Sequence, residues 1–279
     1  MLAAVLVCAP AHGADSPPVA ALPDLSGARS LGLGASVATA SSNEGIFVNP
    51  GAIAANRRYT VELRGLLERR GAESVGQLLS GSVVDALTSP VAAGVAWGKV
   101  LDGVHDGSIV DLALGGTVSP GLTFGVAGKY LHLDGPRDVQ AVTVDAGLLW
   151  RVGRWVSLGA AGYNLLPIGN ERVAPRSVAA GVALGSDRFL QVTADWAANL
   201  DASPTRNRYA VGAELLLANF PLRAGYVVEE HVEADDARWW TAGAGVVQDR
   251  VGLDLGYRQS LDDSSARMIS ASLKVYFIQ

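Results

Sequence analysis

Histidines are the residues of this chain best suited to acid–base or metal chemistry. His105, His132 and His231 all lie in or beside polar stretches. Nothing in the sequence links any of them to the serine and carboxylate of a hydrolytic triad, or to a second ligand at the spacing of zinc sites. Gly32-x-Gly34 also lacks the further glycine of a dinucleotide-binding loop. The sequence therefore predicts no enzyme, no metal site and no cofactor.

Isolated charges within apolar stretches form a second set of candidates. They occupy the row opposite the large apolar side chains, as Lys129 does relative to Phe124 and Val126. A Lys or Arg facing lipid in a membrane barrel costs about 2–4 kcal/mol at the bilayer midplane, so parity predicts that these charges line a lumen. The set is Glu62, Arg64, Asp111, Lys129, Asp145, Arg151, Asp195, Glu214, Arg223, Asp254, Arg258 and Lys274. Because the two signs nearly balance, we expect them to pair in a narrow, partly dry interior.

These charges lie in a succession of segments whose polarity alternates with a period of two, which is typical of strands wetted on one face. The segments cover residues 59–68, 73–84, 90–101, 107–118, 121–133, 139–152, 155–165, 176–185, 188–199, 205–217, 220–229, 237–248, 250–260 and 266–277. About fourteen strands follow, most of them long enough to cross a bilayer at a tilt. Aromatic residues near the segment ends predict an interfacial girdle: Tyr59, Trp97, Tyr130, Trp150, Trp155, Trp239, Trp240 and Tyr257.

The links between the segments alternate in length. Tight links occur at Ser119-Pro120, Gly153-Arg154, Ser186-Asp187, Ala218-Asn219 and near Asp249, and longer polar links such as PIGNERVAP and EEHVEADDA fall between them. Outer-membrane barrels have short periplasmic turns and longer external loops. The sequence thus predicts an all-β, closed antiparallel transmembrane barrel with both termini periplasmic.

Composition excludes other classes. The chain has 279 residues, of which 49% are hydrophobic and 18% charged, so it is too apolar to be disordered. After the N-terminus, no apolar run is long enough for a transmembrane helix. The net charge of −5 and the lack of a basic run predict no binding of nucleic acid.

Both ends of the chain carry targeting patterns. Residues 1–13 read as a signal peptide that contains the sole cysteine, Cys8. Residues 14–56 lack sustained alternation, and residues 57–279 form the predicted barrel. The last strand alternates and ends in Tyr276-Phe277, which resembles the signal read by barrel-assembly machinery, although Ile278 and Gln279 follow it.

The N-terminal segment also resembles a known family. Gly27-Ala28-Arg29-Ser30-Leu31-Gly32-Leu33-Gly34, followed by Asn49-Pro50-Gly51-Ala52, is similar to the opening of FadL-like barrels and of their PorV-like relatives, with the small pair after the proline transposed. The resemblance covers about thirty positions. It implies a fourteen-stranded barrel whose N-terminal segment folds into the lumen as a hatch, with Gly32, Gly34, Asn49, Pro50 and Gly51 as the hatch motif.

Two functions follow from the resemblance. One is passive transport of hydrophobic small molecules across the outer membrane of a Gram-negative cell. The other is a non-transporting, PorV-like barrel that anchors a secretion, surface-export or motility assembly through periplasmic or surface partner proteins. An apolar cavity and a gap in the wall would favour transport, whereas a continuous wall and an ion-paired lumen would favour the anchor. The longest loops, 166–175 and 230–237, are mainly polar and predict no hydrophobic groove.

Overall fold

The computed structural model describes residues 27–101, 106–135, 138–169, 173–202, 205–230 and 236–277. The predicted signal peptide, residues 14–26, Cys8, His105, His231 and the last two residues lie outside the described residues.

Fourteen antiparallel strands make up the wall. Their bounds are β1 Tyr59–Arg70, β2 Glu73–Asp85, β3 Val91–Leu101, β4 Asp106–Ser119, β5 Leu122–Asp134, β6 Val139–Val152, β7 Val156–Tyr163, β8 Ser177–Gly185, β9 Leu190–Asn199, β10 Arg206–Leu217, β11 Phe220–Glu229, β12 Ala237–Gln248, β13 Val251–Ser260 and β14 Ala266–Phe277. No strand end differs from its predicted position by more than two residues.

The sheet closes on itself. Each strand pairs with its neighbours in sequence, and β1 pairs with β14 along its whole length, from Tyr59 opposite Phe277 to Arg70 opposite Ala266. The rings of Tyr59 and Phe277 meet edge to face with centroids 5.3 Å apart. Closure removes the unpaired backbone of an edge strand, and the predicted closed antiparallel barrel is confirmed.

Alternation along the strands separates two faces. In β5 the side chain of Phe124 is 45% exposed, whereas that of its neighbour Thr123 is 6% exposed, and the pattern repeats to the end of the strand. Most large apolar side chains of the wall face outward, while small, polar and charged ones predominate on the luminal face. Period two therefore sorts the side chains as the sequence predicts.

The links also differ between the two ends of the barrel. One end, here the tight-turn end, has the links 120–121, 153–155, 218–219 and 249–250, together with 86–90 and 186–189. The other, the long-link end, has the links 102–105, 135–138, 164–176, 200–205, 230–236 and 261–265. The first hairpin departs from this rhythm, because residues 71–72 form a two-residue link at the long-link end.

Exposed aromatic side chains form two groups on the outer face. Near the long-link end lie Trp97, Tyr130, Trp196, Tyr209, Tyr226 and Trp240, and near the tight-turn end lie Phe124, Trp150, Trp155, Phe189, Phe220 and Phe277. Three residues of the predicted girdle are absent from both groups: Tyr59 and Tyr257 are only partly exposed, and Trp239 departs further from the sequence interpretation. Adjacent strand residues face opposite sides, so Trp239 lies inside, with the guanidinium of Arg258 4.6 Å from its ring centroid.

Two short helices and a 3-10 helix precede the barrel: α1 Ala28–Leu33, α2 Ser42–Val48 and the 3-10 helix Pro50–Ala54. None of the helices in the described part of the chain has the length and apolar character needed to cross a membrane.

Candidate functional site: the luminal segment, its anchors and the mouth

Residues 27–56, here the luminal segment, contact the inner face on several sides of the ring. α1 packs against β10 to β14, α2 against β1 to β4, and the 3-10 helix against β3 to β6. Ala28, Leu33, Ile46 and Ile53 are fully buried in these contacts. The segment therefore crosses the inside of the barrel.

Asn49 fastens the segment to the wall. Its side chain accepts a hydrogen bond from the Gly51 amide at 3.1 Å, which closes the turn before the 3-10 helix. It also donates to the carbonyls of Val37 at 2.8 Å and Leu148 at 3.0 Å. One buried amide thus joins the turn, the preceding loop and strand β6. Pro50 begins the 3-10 helix, a position where its missing N–H is not needed.

Glycines allow the segment to approach the wall closely. A Cβ on Gly32 would lie 2.8 Å from the Cα of Gly243, and one on Gly51 would lie 2.9 Å from the carbonyl oxygen of Gly147. Gly34 has a φ of +79°, which L side chains rarely adopt. The wall glycines at which a Cβ would meet the segment are Gly94, Gly115, Gly125, Gly147, Gly159, Gly181, Gly212, Gly225, Gly243 and Gly256.

A network of alternating charges ties α1 to five strands. Arg29 lies 2.9 Å from Glu214, which also pairs with Arg223. Arg223 lies 2.6 Å from Asp254. Lys274 completes the network, 3.7 Å from Asp254 and 3.6 Å from Glu62. Five of the predicted lumen charges therefore meet in one group.

Arg29 is a member of the network that the sequence interpretation quoted within the motif without giving it a role. Burial is the largest effect and disfavours its charged form, but the carboxylates of Glu214, Glu44 and Asp254 together outweigh it, so the net shift of the Arg29 pKa is upward. Burial also opposes the charge of Glu44 in α2, yet Lys274 and Arg29 hold the pKa of that carboxyl below its usual range. The segment thus adds its own ion-pairing groups to the wall's.

Three other predicted lumen charges contact the segment directly. Asp195 accepts hydrogen bonds from the amides of Ser36 at 2.5 Å and Val37 at 2.9 Å. Arg151 donates to the carbonyl of Ala55 at 2.9 Å, and the guanidinium of Arg64 lies 5.2 Å from the ring centroid of Phe47. Asp195 and Arg151 are only partly buried. These side chains hold the segment rather than pair among themselves.

The remaining predicted charges lie toward the long-link end. Lys129 and Asp145 form a buried pair at 2.7 Å. Asp111 is directly opposite Lys129 in the register, fully buried, and neither of its carboxylate oxygens has a hydrogen-bond partner in the described part of the chain. Arg258 pairs with Glu229 at 2.6 Å.

An apolar cluster fills the mouth of the barrel at the long-link end. Its members, here the mouth cluster, are Leu78, Ile109, Leu131, Leu133, Val139, Val173 and Ala174. Ile168 packs against it. Three apolar side chains of the 166–175 loop, Ile168, Val173 and Ala174, thus pack on the wall, whereas Leu166 is exposed. The sequence predicted a mainly polar loop without a hydrophobic groove, and loop polarity alone could not show that these three side chains pack inside.

Beside this cluster, part of the wall is formed by a link rather than by a β-strand. Strand β7 stops at Tyr163, and β6 pairs with it only from Ala146 to Val152. Toward the long-link end the link takes over, with the Leu165 amide donating to the Val144 carbonyl at 2.9 Å. A non-strand segment thus completes the wall between β6 and β8 there.

A cavity opens near the tight-turn end, on the other side of the segment. Its volume is about 230 Å³, and it is lined by Ala54, Ala55, Thr117, Gly121, Thr123, Leu149 and Arg151. No group of histidine, cysteine and acidic residues that could hold a metal ion occurs among the described residues.

Solved structures share this fold, although no protein-family model and no curated protein matches the sequence. The CymD monoaromatic hydrocarbon channel has 14% identity and a TM-score of 0.64, with 90% of this chain and 96% of that chain covered. The P. putida toluene transporter TodX has 14% identity and a TM-score of 0.62, with 91% and 99% covered. The Acinetobacter baumannii outer membrane protein Omp33 has 12% identity and a TM-score of 0.51, with 79% and 99% covered. At these identities the comparison establishes the fold, which agrees with the FadL-like barrel expected from the N-terminal motif.

Proposed function

We propose that this chain is an outer-membrane barrel that lets small hydrophobic molecules cross passively, with the luminal segment as its hatch. The observation that carries the proposal is the outer surface. Exposed apolar side chains such as Leu112, Val142 and Leu255 cover it between the two aromatic groups. Aromatic girdles at both interfaces and an apolar band between them are typical of membrane barrels.

The substrate class is inferred from the fold and the interior. Two of the proteins that share the fold are described as a monoaromatic hydrocarbon channel and a toluene transporter. The mouth cluster offers apolar surface at one end, and the 230 Å³ cavity lies at the other. We therefore propose hydrocarbons of about one aromatic ring as substrates.

The topology follows from the barrel type. The tight-turn end, which holds Tyr59 and Phe277, faces the periplasm, because short turns lie on that side in outer-membrane barrels. Residues 1–13 direct export and are then removed, residues 14–56 form the hatch region, and barrel-assembly machinery reads β14. The long links face outward, toward the hydrophobic substrate.

Uptake by intact cells tests the proposal. A strain lacking this protein should take up radiolabelled toluene more slowly than a strain carrying it, while uptake of a hydrophilic solute of equal size stays unchanged. Equal toluene uptake, together with recovery of a stable partner protein from gently solubilised membranes, would instead support the anchoring function. The ion-paired lumen is the observation that favours this second, anchoring function.

A substitution on the outer face tests the membrane placement. Leu253 on β13 is half exposed on the outer row, whereas Lys129 is buried in the lumen. Leu253→Arg should reduce the amount of folded barrel in the outer membrane severalfold, because the arginine faces lipid at a cost of about 2–4 kcal/mol near the midplane. Leu253→Phe serves as the matched control, because it keeps an apolar side chain at the same outward position, and it should still assemble. Equal assembly of the two variants would overturn the assignment of faces.

A further inference from the structure

The link between β7 and β8 connects two strands of the wall, yet part of it lies inside the mouth. Its two described arms, residues 164–169 and 173–176, are here called the inserted link. Val173 and Ala174 are buried in the mouth cluster, while Leu165 and Leu166 are exposed. A connection of this kind normally runs over the surface. The inserted link therefore occupies apolar space that a solute entering from the long-link end would need.

One side chain holds both arms in place. Asn164 leaves β7 with a φ of +53° and is buried. Its amide donates to Asp145 at 2.7 Å, and its side-chain oxygen accepts from Lys129 at 3.3 Å. Its side-chain nitrogen donates to the carbonyl of Pro175 at 3.0 Å. The first arm is thus fastened to a buried ion pair, and the second arm is fastened to the first.

A second carboxylate, that of Asp111, lies on the strand next to Lys129. Asp111 on β4 is its direct partner in the register, whereas the Lys129 amine lies 2.7 Å from Asp145 on β6. Both Asp111 oxygens lack a hydrogen-bond partner in the described chain. An unsatisfied buried carboxylate is expensive. Two carboxylates therefore lie beside the lysine, which pairs with that of Asp145, and moving its amine to Asp111 would remove one of the three hydrogen bonds of Asn164.

We propose that the inserted link is a reversible plug of the mouth, that Asn164 is its latch, and that transfer of Lys129 from Asp145 to Asp111 releases it. In the latched state Ile168, Val173 and Ala174 cover the mouth cluster. In the released state Leu131, Val139 and their neighbours become available to a small apolar solute. The solute's identity as a hydrocarbon rests on the proposed function, whereas the plug itself does not.

The rate at which the Val173→Cys variant reacts with a thiol reagent measures how readily the plug leaves the mouth. The protein carries Cys8→Ser and Val173→Cys, is placed in lipid vesicles, and is treated with a small methanethiosulfonate reagent. Modification should be slow in the latched protein. Asn164→Gly keeps the left-handed backbone but loses the side-chain bonds, and should raise the rate roughly 10- to 100-fold, as expected from losing hydrogen bonds to charged groups. Asp111→Asn removes the second carboxylate and should lower the rate.

Two controls accompany the measurement. Leu166→Cys is exposed in the latched state and should react equally fast in every background. Asn164→Asp provides a second latch variant, since a carboxylate cannot donate to the Pro175 carbonyl, and heat-shift electrophoresis verifies that each variant is folded. Saturating toluene should raise the rate at Val173→Cys by competing with the plug for the mouth cluster.

Particular results would overturn the proposal. Folded Asn164→Gly and Asn164→Asp proteins that react at the latched rate would exclude the latch. An unchanged or faster rate in Asp111→Asn would exclude the lysine transfer. Because labelling needs no transport, faster labelling in the latch variants without toluene uptake by cells would reject the proposed function and leave the plug standing.

Discussion

Two regions of the lumen hold their contents by different chemistry. Across β10 to β14 and β1, α1 is fixed by Arg29 and a network of ion pairs, and glycines bring its backbone against the wall. Across β2 to β6, the inserted link lies on an apolar cluster. Asn164 joins its two arms, and hydrogen bonds to Thr143 and Val144 also hold the first arm. Buried pairs resist the loss of one member strongly, whereas apolar contacts accept a replacement of similar volume. The region around α1 should therefore stay closed, whereas on the mouth cluster a hydrophobic molecule can take the place of the inserted link.

The largest effect is expected at the centre of the network. Arg223→Leu removes the cation between Glu214 and Asp254 and leaves two buried carboxylates with weakened pairing. Breaking a buried pair in this way costs about 3–5 kcal/mol, and urea unfolding of the barrel in vesicles measures it. If Arg223→Leu lowered the free energy of unfolding by less than about 1 kcal/mol, the ion-pair network would not make this side of the lumen more firmly held than the mouth side.

A smaller effect is expected where the segment meets a wall glycine. A Cβ on Gly125 would overlap the Pro50 carbonyl, whereas Gly128 on the same strand faces outward with open space around it. Gly125→Ala should destabilise the barrel by about 1–3 kcal/mol because it overpacks the contact, and it should increase proteolysis of the segment. Gly128→Ala is the matched control, and equal effects of the two substitutions would argue against close docking.

The mouth should tolerate truncation better. Ile168 is only partly buried against the cluster, so Ile168→Ala should cost about 1 kcal/mol, below the ~2–5 kcal/mol of a fully buried site. Urea unfolding measures the loss, and the exposed Leu166→Ala provides the reference. If Ile168→Ala matched Arg223→Leu, the proposed contrast between the two regions would not hold.

The smallest effect concerns an ion pair outside the lumen. Arg238 lies 2.6 Å from Asp262 at the long-link end, and hydrogen bonds from Arg238 lower the pKa of the Asp262 carboxyl. A lowered folded pKa means that the pair contributes above the unfolded pKa and that the contribution is lost as pH falls through the folded value. Asp262→Asn should leave the unfolding midpoint at neutral pH nearly unchanged, because exposed pairs contribute little. A loss comparable to that in Arg223→Leu would show that burial is not what separates them.

Period two predicted the wall well, because each strand exposes one row and buries the other. The predicted aromatic girdle was wrong for Trp239, because it grouped Trp239 with Trp240 although adjacent strand residues face opposite sides. The sequence predicted which of the links are long, but not that side chains of one link pack inside the barrel. The apolar Ile168 and Val173 lie within a polar stretch, and their packing in the mouth beyond the end of β7 is visible only in the structure.

The candidate site was only partly visible in the sequence. The charges could be assigned to the lumen, but their partners depend on the register between distant strands, as Arg223 with Asp254 shows. Arg29 carries a charge in a segment without alternation, so parity could not place it. The glycines of the motif signalled close packing, whereas the surface they meet, such as Gly243, becomes apparent only in three dimensions.

Flux through the purified protein tests the central claim most directly. Lipid vesicles containing the barrel should take up toluene faster than empty vesicles, while planar bilayers containing the same preparation should show no sustained ionic conductance, because the segment and its ion pairs occupy the lumen. Toluene influx equal to that of empty vesicles, or a stable open conductance, would contradict a closed barrel that passes hydrophobic molecules.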